Sequence, residues 1–281
     1  MKLSVRAADL PGLLDQAPAG IKCLSLDCFD TLLWRHVHQP TDVFADLGLA
    51  GGPDQRIWAE QDARRIAPHL RGGDEVTIDE IYAQLMPGDA DGQAAAIVRE
   101  LEAEAQQCYG FAPTRDLMRA AKARGLRVII VSDTYLHQPQ LRDLIAAAAG
   151  DEVIGLIDEI FVSSAFGVAK AGGLFTHVLA ATGLSPAQIL HVGDNPVADQ
   201  QAPSQLGINT AHLRQFDAES IQRLRLESAA ASIADPAIGL SRATAQPHRA
   251  QIARREQDDA AYVIGHDVLG PLLHGFCPLG A

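Results

Sequence analysis

Four short apolar runs rich in β-branched residues punctuate the chain: IKCLSLD (21–27), LRVIIVSD (126–133), EIFVSS (159–164) and ILHVGD (189–194). Their apolarity is continuous rather than alternating, the pattern of strands in a sheet covered on both faces. GINTAHL (207–213) is a weaker fifth run. Between the runs lie helical patterns. In APTRDLMRAAKARG, Thr114 is a candidate N-cap and Gly125 a candidate stop, and QPQLRDLIAAAAG and GLFTHVLAATG repeat the pattern. Strand and helix alternate, which predicts an α/β fold built on an open parallel sheet.

Residues 34–115 break that rhythm. GPDQRIWAEQDARRIAPHL, TIDEIYAQLM and GQAAAIVRELEAEAQQCYG read as helices separated by Gly, Pro and Asp. An insertion between the first two strands is expected to sit over their carboxyl ends, where open α/β sheets bind ligands. From about residue 215 the pattern is again helical and alanine-rich, and it finishes on the apolar AYVIGHDVLGPLLHGFCPLGA. That segment either packs back on the body or marks a further domain or partner.

Composition narrows the classes. The 281 residues are 47% hydrophobic and 21% charged, as in ordinary globular proteins, and hold no run long enough to span a bilayer. The N-terminus lacks the apolar region of a signal peptide, and the four cysteines have no CxxC pairing, so a cytoplasmic protein without disulfide framework or zinc is expected. A formal charge of −12 argues against nucleic acid as partner. There is no GxxxxGK[ST] or GxGxxG. Of 23 basic residues, the lysines are only Lys2, Lys22, Lys122 and Lys170.

Each strong run delivers polar residues at its carboxyl end: Asp27, Asp30 and Thr31; then Ser132, Asp133 and Thr134; Lys170 after the third; and Asp194, Asn195 and Asp199 after the fourth. Carboxylates from neighbouring strands suit a Mg²⁺ ion, which takes hard oxygen ligands. A hydroxyl and an ammonium beside it suit the oxygens of a phosphoryl group, and Asp27 is placed to attack phosphorus.

This set resembles the haloacid dehalogenase superfamily, largely phosphatases and phosphotransferases, over residues 21 to about 213. The resemblance implies a Rossmann-like core from 1–33 and 116–214, a helical cap from 34–115 and a helical extension from 215–281. It implies a Mg²⁺-dependent hydrolase of a small phosphorylated substrate. Asp27 is then the nucleophile, Thr31 and Ser132 are phosphate-binding hydroxyls, and Lys170 is the cation that steadies both. Asp133 and Thr134 fall beside the substrate. Asp194 and the carbonyl of Phe29 join Asp27 as metal ligands, with Asp199 and Asn195 in support.

One departure matters. Phosphatases of the family carry a second aspartate, the general acid and base, where this chain has Phe29, and glycine where it has Asp30. General acid–base catalysis is typically worth about 10²–10⁴-fold. Three substitutes are open: Asp30 itself; a residue of the insertion such as His36, His38 or Glu60; or a substrate whose leaving group needs no proton. Asp30 reads equally as a cap of the turn. A domain that binds a phosphorylated ligand without turnover is the competing reading, since some relatives with this motif resemble modules of surface-polysaccharide proteins. Metal-free C–halogen hydrolysis is a third. The insertion contains no lysine, which excludes Schiff-base chemistry there. Asp133 reads as a helix N-cap, Cys28 as a small buried hydrophobe, Trp34 as packing, His191 as a core histidine with its hydrogen bonds met, and Arg56, Arg64, Arg65, Arg71 and Arg99 as mostly a solvated face.

Overall fold

The structure is a computed structural model, and it describes residues 1–37 and 40–216 together with the isolated positions 222 and 261. His38 and the expected C-terminal extension beyond 216 lie outside the described residues.

Eight strands are described: β1 (Lys2–Val5), β2 (Cys23–Leu26), β3 (Leu33–Arg35), β4 (Cys108–Gly110), β5 (Arg127–Ser132), β6 (Glu159–Val162), β7 (Ile189–Gly193) and β8 (Asn209–Leu213). Six form one sheet in the order β1-β8-β7-β2-β5-β6, and every pairing in it is parallel. The fold is the expected α/β, Rossmann-like arrangement. β1 was not legible as a strand: four residues at the sheet edge, two of them exposed, carry no buried-strand pattern.

Alternation across the central strands explains the double covering. Leu24, Leu26, Val128, Ile130, Leu190 and Val192 enter one apolar cluster with Leu117, Met118, Leu141 and Ile145 from the helices Ala112–Ala123 and Gln138–Ala149. Cys23, Ile129, Val131 and Ile189 enter another with Leu174, Phe175 and Val178 of the helix Leu174–Thr182. Side chains of one strand point alternately to the two faces, so a continuous apolar run serves both.

Between β2 and β5 the chain forms the helices Pro53–Arg71, Ile78–Leu85 and Ala90–Gln107. It leaves through β3 and returns through β4, which pair antiparallel, so departure and return lie side by side. The expected helix through CYG is corrected here, since Cys108–Gly110 is strand. Thr114 is not an N-cap: it lies inside the helix Ala112–Ala123, and its hydroxyl donates to the carbonyl of Thr31 at 2.8 Å. Trp34 does pack, buried and stacked on Phe111 with centroids 4.0 Å apart. Arg56 overturns the solvated-face reading. It is fully buried, holds Glu100 through two N–H groups at 2.6 and 2.8 Å, and lies over the rings of Phe44 and Tyr135.

The insertion is tied to the loops after β5 and β6. Ser163 donates to Glu75 at 2.5 Å, and the amide of Ile78 donates to the carbonyl of Tyr135 at 2.8 Å. Gly73 meets Gly167 so closely that an added Cβ would lie 2.2 Å from the Gly167 oxygen.

Candidate active site

The carboxyl ends of β2, β5 and β7 and the loop after β6 converge on one cavity of about 410 Å³. Its floor holds Asp27, Asp133, Lys170, Asp194 and Asp199, and its other wall holds Arg35, Glu60, Arg64, Glu100 and Glu104 from β3 and the helical insertion.

Asp27 directly follows β2, and its amide donates to the carbonyl of Val192 at 2.9 Å, which pins the residue to β7. Lys170 Nζ donates to Asp27 at 2.7 Å and to Asp199 at 2.5 Å, and all three residues are buried. Asp133 is not a helix cap, as the next helix begins beyond His137; its carboxylate accepts from the amide of Lys170 at 2.7 Å. It therefore fixes the loop that carries the lysine. Asn195 caps the turn Pro196–Gln201 by accepting from the amides of Val197 and Ala198, and its own amide donates to Asp199 at 2.9 Å. The glycine of VGDN has a steric reason, because a Cβ on Gly193 would lie 2.3 Å from the Asp199 carboxyl carbon.

Electrostatics set these carboxyls apart. Burial raises Asp27 from 3.8 to about 7 against the pull of Lys170. Burial and the charges of Asp27, Asp30 and Asp199 push Asp194 up to about 8. Asp199 is buried too, yet Lys170 and His191 hold it well below the usual carboxylate range. Burial disfavours the ammonium of Lys170, but the surrounding aspartates overcome it and hold its pKa above the ordinary value.

Oxygens of Asp27, Asp194 and Asp199 lie within 4.8 Å of one another, a hard-donor set that fits a divalent cation such as Mg²⁺. Asp199 already accepts from Lys170, His191 and the Asn195 amide. The Asp194 carboxylate accepts no hydrogen bond among the described residues, so Asp27 and Asp194 are the pair left to hold a cation.

Phe29 and Asp30 also line the cavity. Asp30 is the one described non-glycine residue with positive φ, at 58°, a backbone conformation that glycine adopts without steric cost. Arg35 covers the Phe29 ring at 4.2 Å, and its Nε donates to Glu104 at 2.6 Å. Thr134 lines the cavity, but its hydroxyl accepts from the Leu136 amide at 3.1 Å. Thr31 and Ser132 do not line it; both hydroxyls are buried without a hydrogen-bond partner among the described residues. Of the substitute acids, Glu60 lines the cavity paired with Arg56 and Arg64, while His36 stacks on Tyr109. Cys28 is buried, and burial raises its thiol pKa.

The sequence did not reveal Glu104, Tyr135 or Ser25 as neighbours of the site. Ser25 had a faint signal, standing two residues before Asp27 and so on the same face of β2.

The sequence matches the family model described as haloacid dehalogenase-like hydrolase over residues 21–207, and the chain belongs to that family of hydrolases. Among curated proteins no match is found. Among solved structures it is similar to the L-2-haloacid dehalogenase of Xanthobacter autotrophicus with chloropropionic acid covalently bound, at TM-score 0.53 and 15% identity, over 78% of this chain and 86% of that one. The 2-haloacid dehalogenase of Pseudomonas syringae pv. Tomato DC3000 is similar at TM-score 0.50 and 16% identity, over 68% and 85%. At such identities the likeness is one of fold. No described helix is long and apolar enough to cross a membrane.

Proposed function

We propose that the chain is a Mg²⁺-dependent phosphatase of a small organic phosphate, with residues 34–115 as a cap over a core of 1–33 and 116–214. The observation that carries this reading is Lys170 bridging Asp27 and Asp199 beside Asp194, whose carboxylate accepts no hydrogen bond among the described residues. An Asp27 carboxylate oxygen forms a bond to phosphorus, and the bond from phosphorus to the leaving oxygen breaks with its electron pair going to that oxygen. Water then attacks phosphorus, and the bond from the Asp27 oxygen to phosphorus breaks with its electron pair returning to the carboxylate. Of the water's two protons, one stays on inorganic phosphate and the other ends on the leaving oxygen. Lys170 holds Asp27 in place and faces the phosphoryl oxygens. Asp133 holds the Lys170 loop. Mg²⁺ held by Asp27, Asp194 and the Phe29 carbonyl would offset the charge between nucleophile and phosphate.

Asp194 favours this reading over metal-free dehalogenation, because a carboxylate beside Asp27 that accepts no hydrogen bond among the described residues suits a hard metal ion. Phe29 bears on the range of substrates. With an arene under Arg35 in place of a carboxyl, esters with good leaving groups are favoured, because they leave without a proton. The test is hydrolysis of an aryl phosphate, an alkyl phosphate and a 2-haloacid, with Mg²⁺ and with chelator. Metal-dependent cleavage of the aryl ester is expected. Halide release that survives chelation would sink the phosphatase reading, and Mg²⁺ binding without turnover of any substrate would favour a ligand-binding domain.

A further inference from the structure

Behind the cavity, a file of buried hydrogen bonds runs from Lys170 into the sheet. Asp199 Oδ1 meets both Lys170 Nζ and His191 Nε2, the latter at 3.1 Å. His191 Nδ1 meets the hydroxyl of Ser25 at 2.8 Å. Ser25, His191 and Asp199 are fully buried. Ser25 and His191 are register partners on β2 and β7, and the Phe175 ring packs edge-on against the imidazole with centroids 4.8 Å apart.

The partners dictate the proton positions. An ionised carboxylate only accepts, so Nε2 carries the hydrogen toward Asp199. Nδ1 then accepts, and the Ser25 hydroxyl donates. A neutral imidazole agrees with burial, which lowers the pKa of His191. The ring is thus locked in one tautomer and one orientation by Ser25 below it and Phe175 beside it. Asn195 fixes the other Asp199 oxygen, Oδ2. Among the described residues, His191 is therefore the group besides Lys170 that fixes Oδ1, the oxygen the lysine bridges from.

We propose that His191 and Ser25 are positioning residues, which orient Asp199 so that Lys170 spans Asp199 and Asp27. The proposal rests on the reading of Asp27 and Lys170 as a working pair, and neither His191 nor Ser25 touches substrate. The contrary view makes His191 a filler of core volume, in which case an isosteric apolar ring would serve.

The experiment reads the lysine directly, without turnover. With lysines only at positions 2, 22, 122 and 170, proton–nitrogen correlation spectra of the ammonium groups are sparse, and Lys170→Met assigns the buried one. The wild-type chain is expected to show one ammonium signal in slow exchange with water. His191→Phe is expected to lose it; His191→Gln, with an N–H for Asp199 and an oxygen for Ser25, is expected to keep it. If His191→Phe does not fold, Ser25→Ala decides, with a displaced signal expected. An unchanged signal in folded His191→Phe or in Ser25→Ala overturns the proposal, as does a wild type with no slowly exchanging ammonium. A chain that hydrolyses nothing yet loses the signal in His191→Phe upholds the positioning role while the phosphatase reading fails.

Discussion

The guanidinium of Arg35 lies 4.2 Å from the centroid of the Phe29 ring, and Glu104 accepts from its Nε at 2.6 Å. A cation over an aromatic face is stabilised further where water is excluded, and both Arg35 and Glu104 are buried. Phe29 is thus clamped in the wall of the cavity, at the position where the proposed phosphatase reading expects a general acid.

Replacing Phe29 by aspartate should restore part of that function. Phe29→Asp is expected to raise alkyl phosphate hydrolysis by about ten-fold relative to aryl phosphate, less than the usual ~10²–10⁴-fold of acid catalysis, because Arg35 beside the new carboxyl favours its ionised form. Phe29→Asp with Arg35→Gln should gain more, if the pair still folds. The ratio of alkyl to aryl kcat/KM measures both. A ratio unmoved in either variant contradicts the idea that Phe29 limits the leaving-group step.

Asp194 makes a pH prediction. Its pKa rises from 3.8 to about 8, through burial and then the charges of Asp27, Asp30 and Asp199. Between those values the folded chain binds more protons at Asp194 than the unfolded chain, so this residue's contribution to stability falls as pH rises. Without divalent cations, Asp194→Asn should therefore melt higher than wild type at pH 8, and the gap should close toward pH 5. Mg²⁺ should raise the wild-type Tm at pH 8 and leave Asp194→Asn nearly unmoved. Thermal melts across that range, with chelator and with Mg²⁺, check each sign.

The insertion holds a buried ion pair whose removal is costly. Arg56→Met leaves Glu100 without its two guanidinium donors and should destabilise the protein by about 3–5 kcal/mol. Replacing both partners by apolar residues should recover most of that loss, although Tyr82 also donates to Glu100 at 2.8 Å. Urea unfolding of the single and double variants tests this.

The sequence showed these features unevenly, for physical reasons. Strands β2, β5, β6 and β7 were legible because burial on both faces demands unbroken apolarity, and their polar ends followed from chain order alone. β3 and β4 were hidden, since three residues each are too few to carry a period within a helical stretch. Thr114, Asp133 and Arg56 were misread for one reason. Each has a partner far along the chain, at Thr31, Lys170 and Glu100, and local pattern carries no signal of it. His191 was read correctly as satisfied, but one of its partners proved to be an aspartate of the site.

The central claim is that Asp27 carries the phosphoryl group. The most direct measurement is acid quench of the enzyme during turnover of an aryl phosphate with Mg²⁺, followed by peptide mass mapping. A phosphoryl adduct on Asp27, absent in Asp27→Asn and absent with chelator, is the predicted result. Turnover that persists in Asp27→Asn, or an adduct on another residue, would contradict the account.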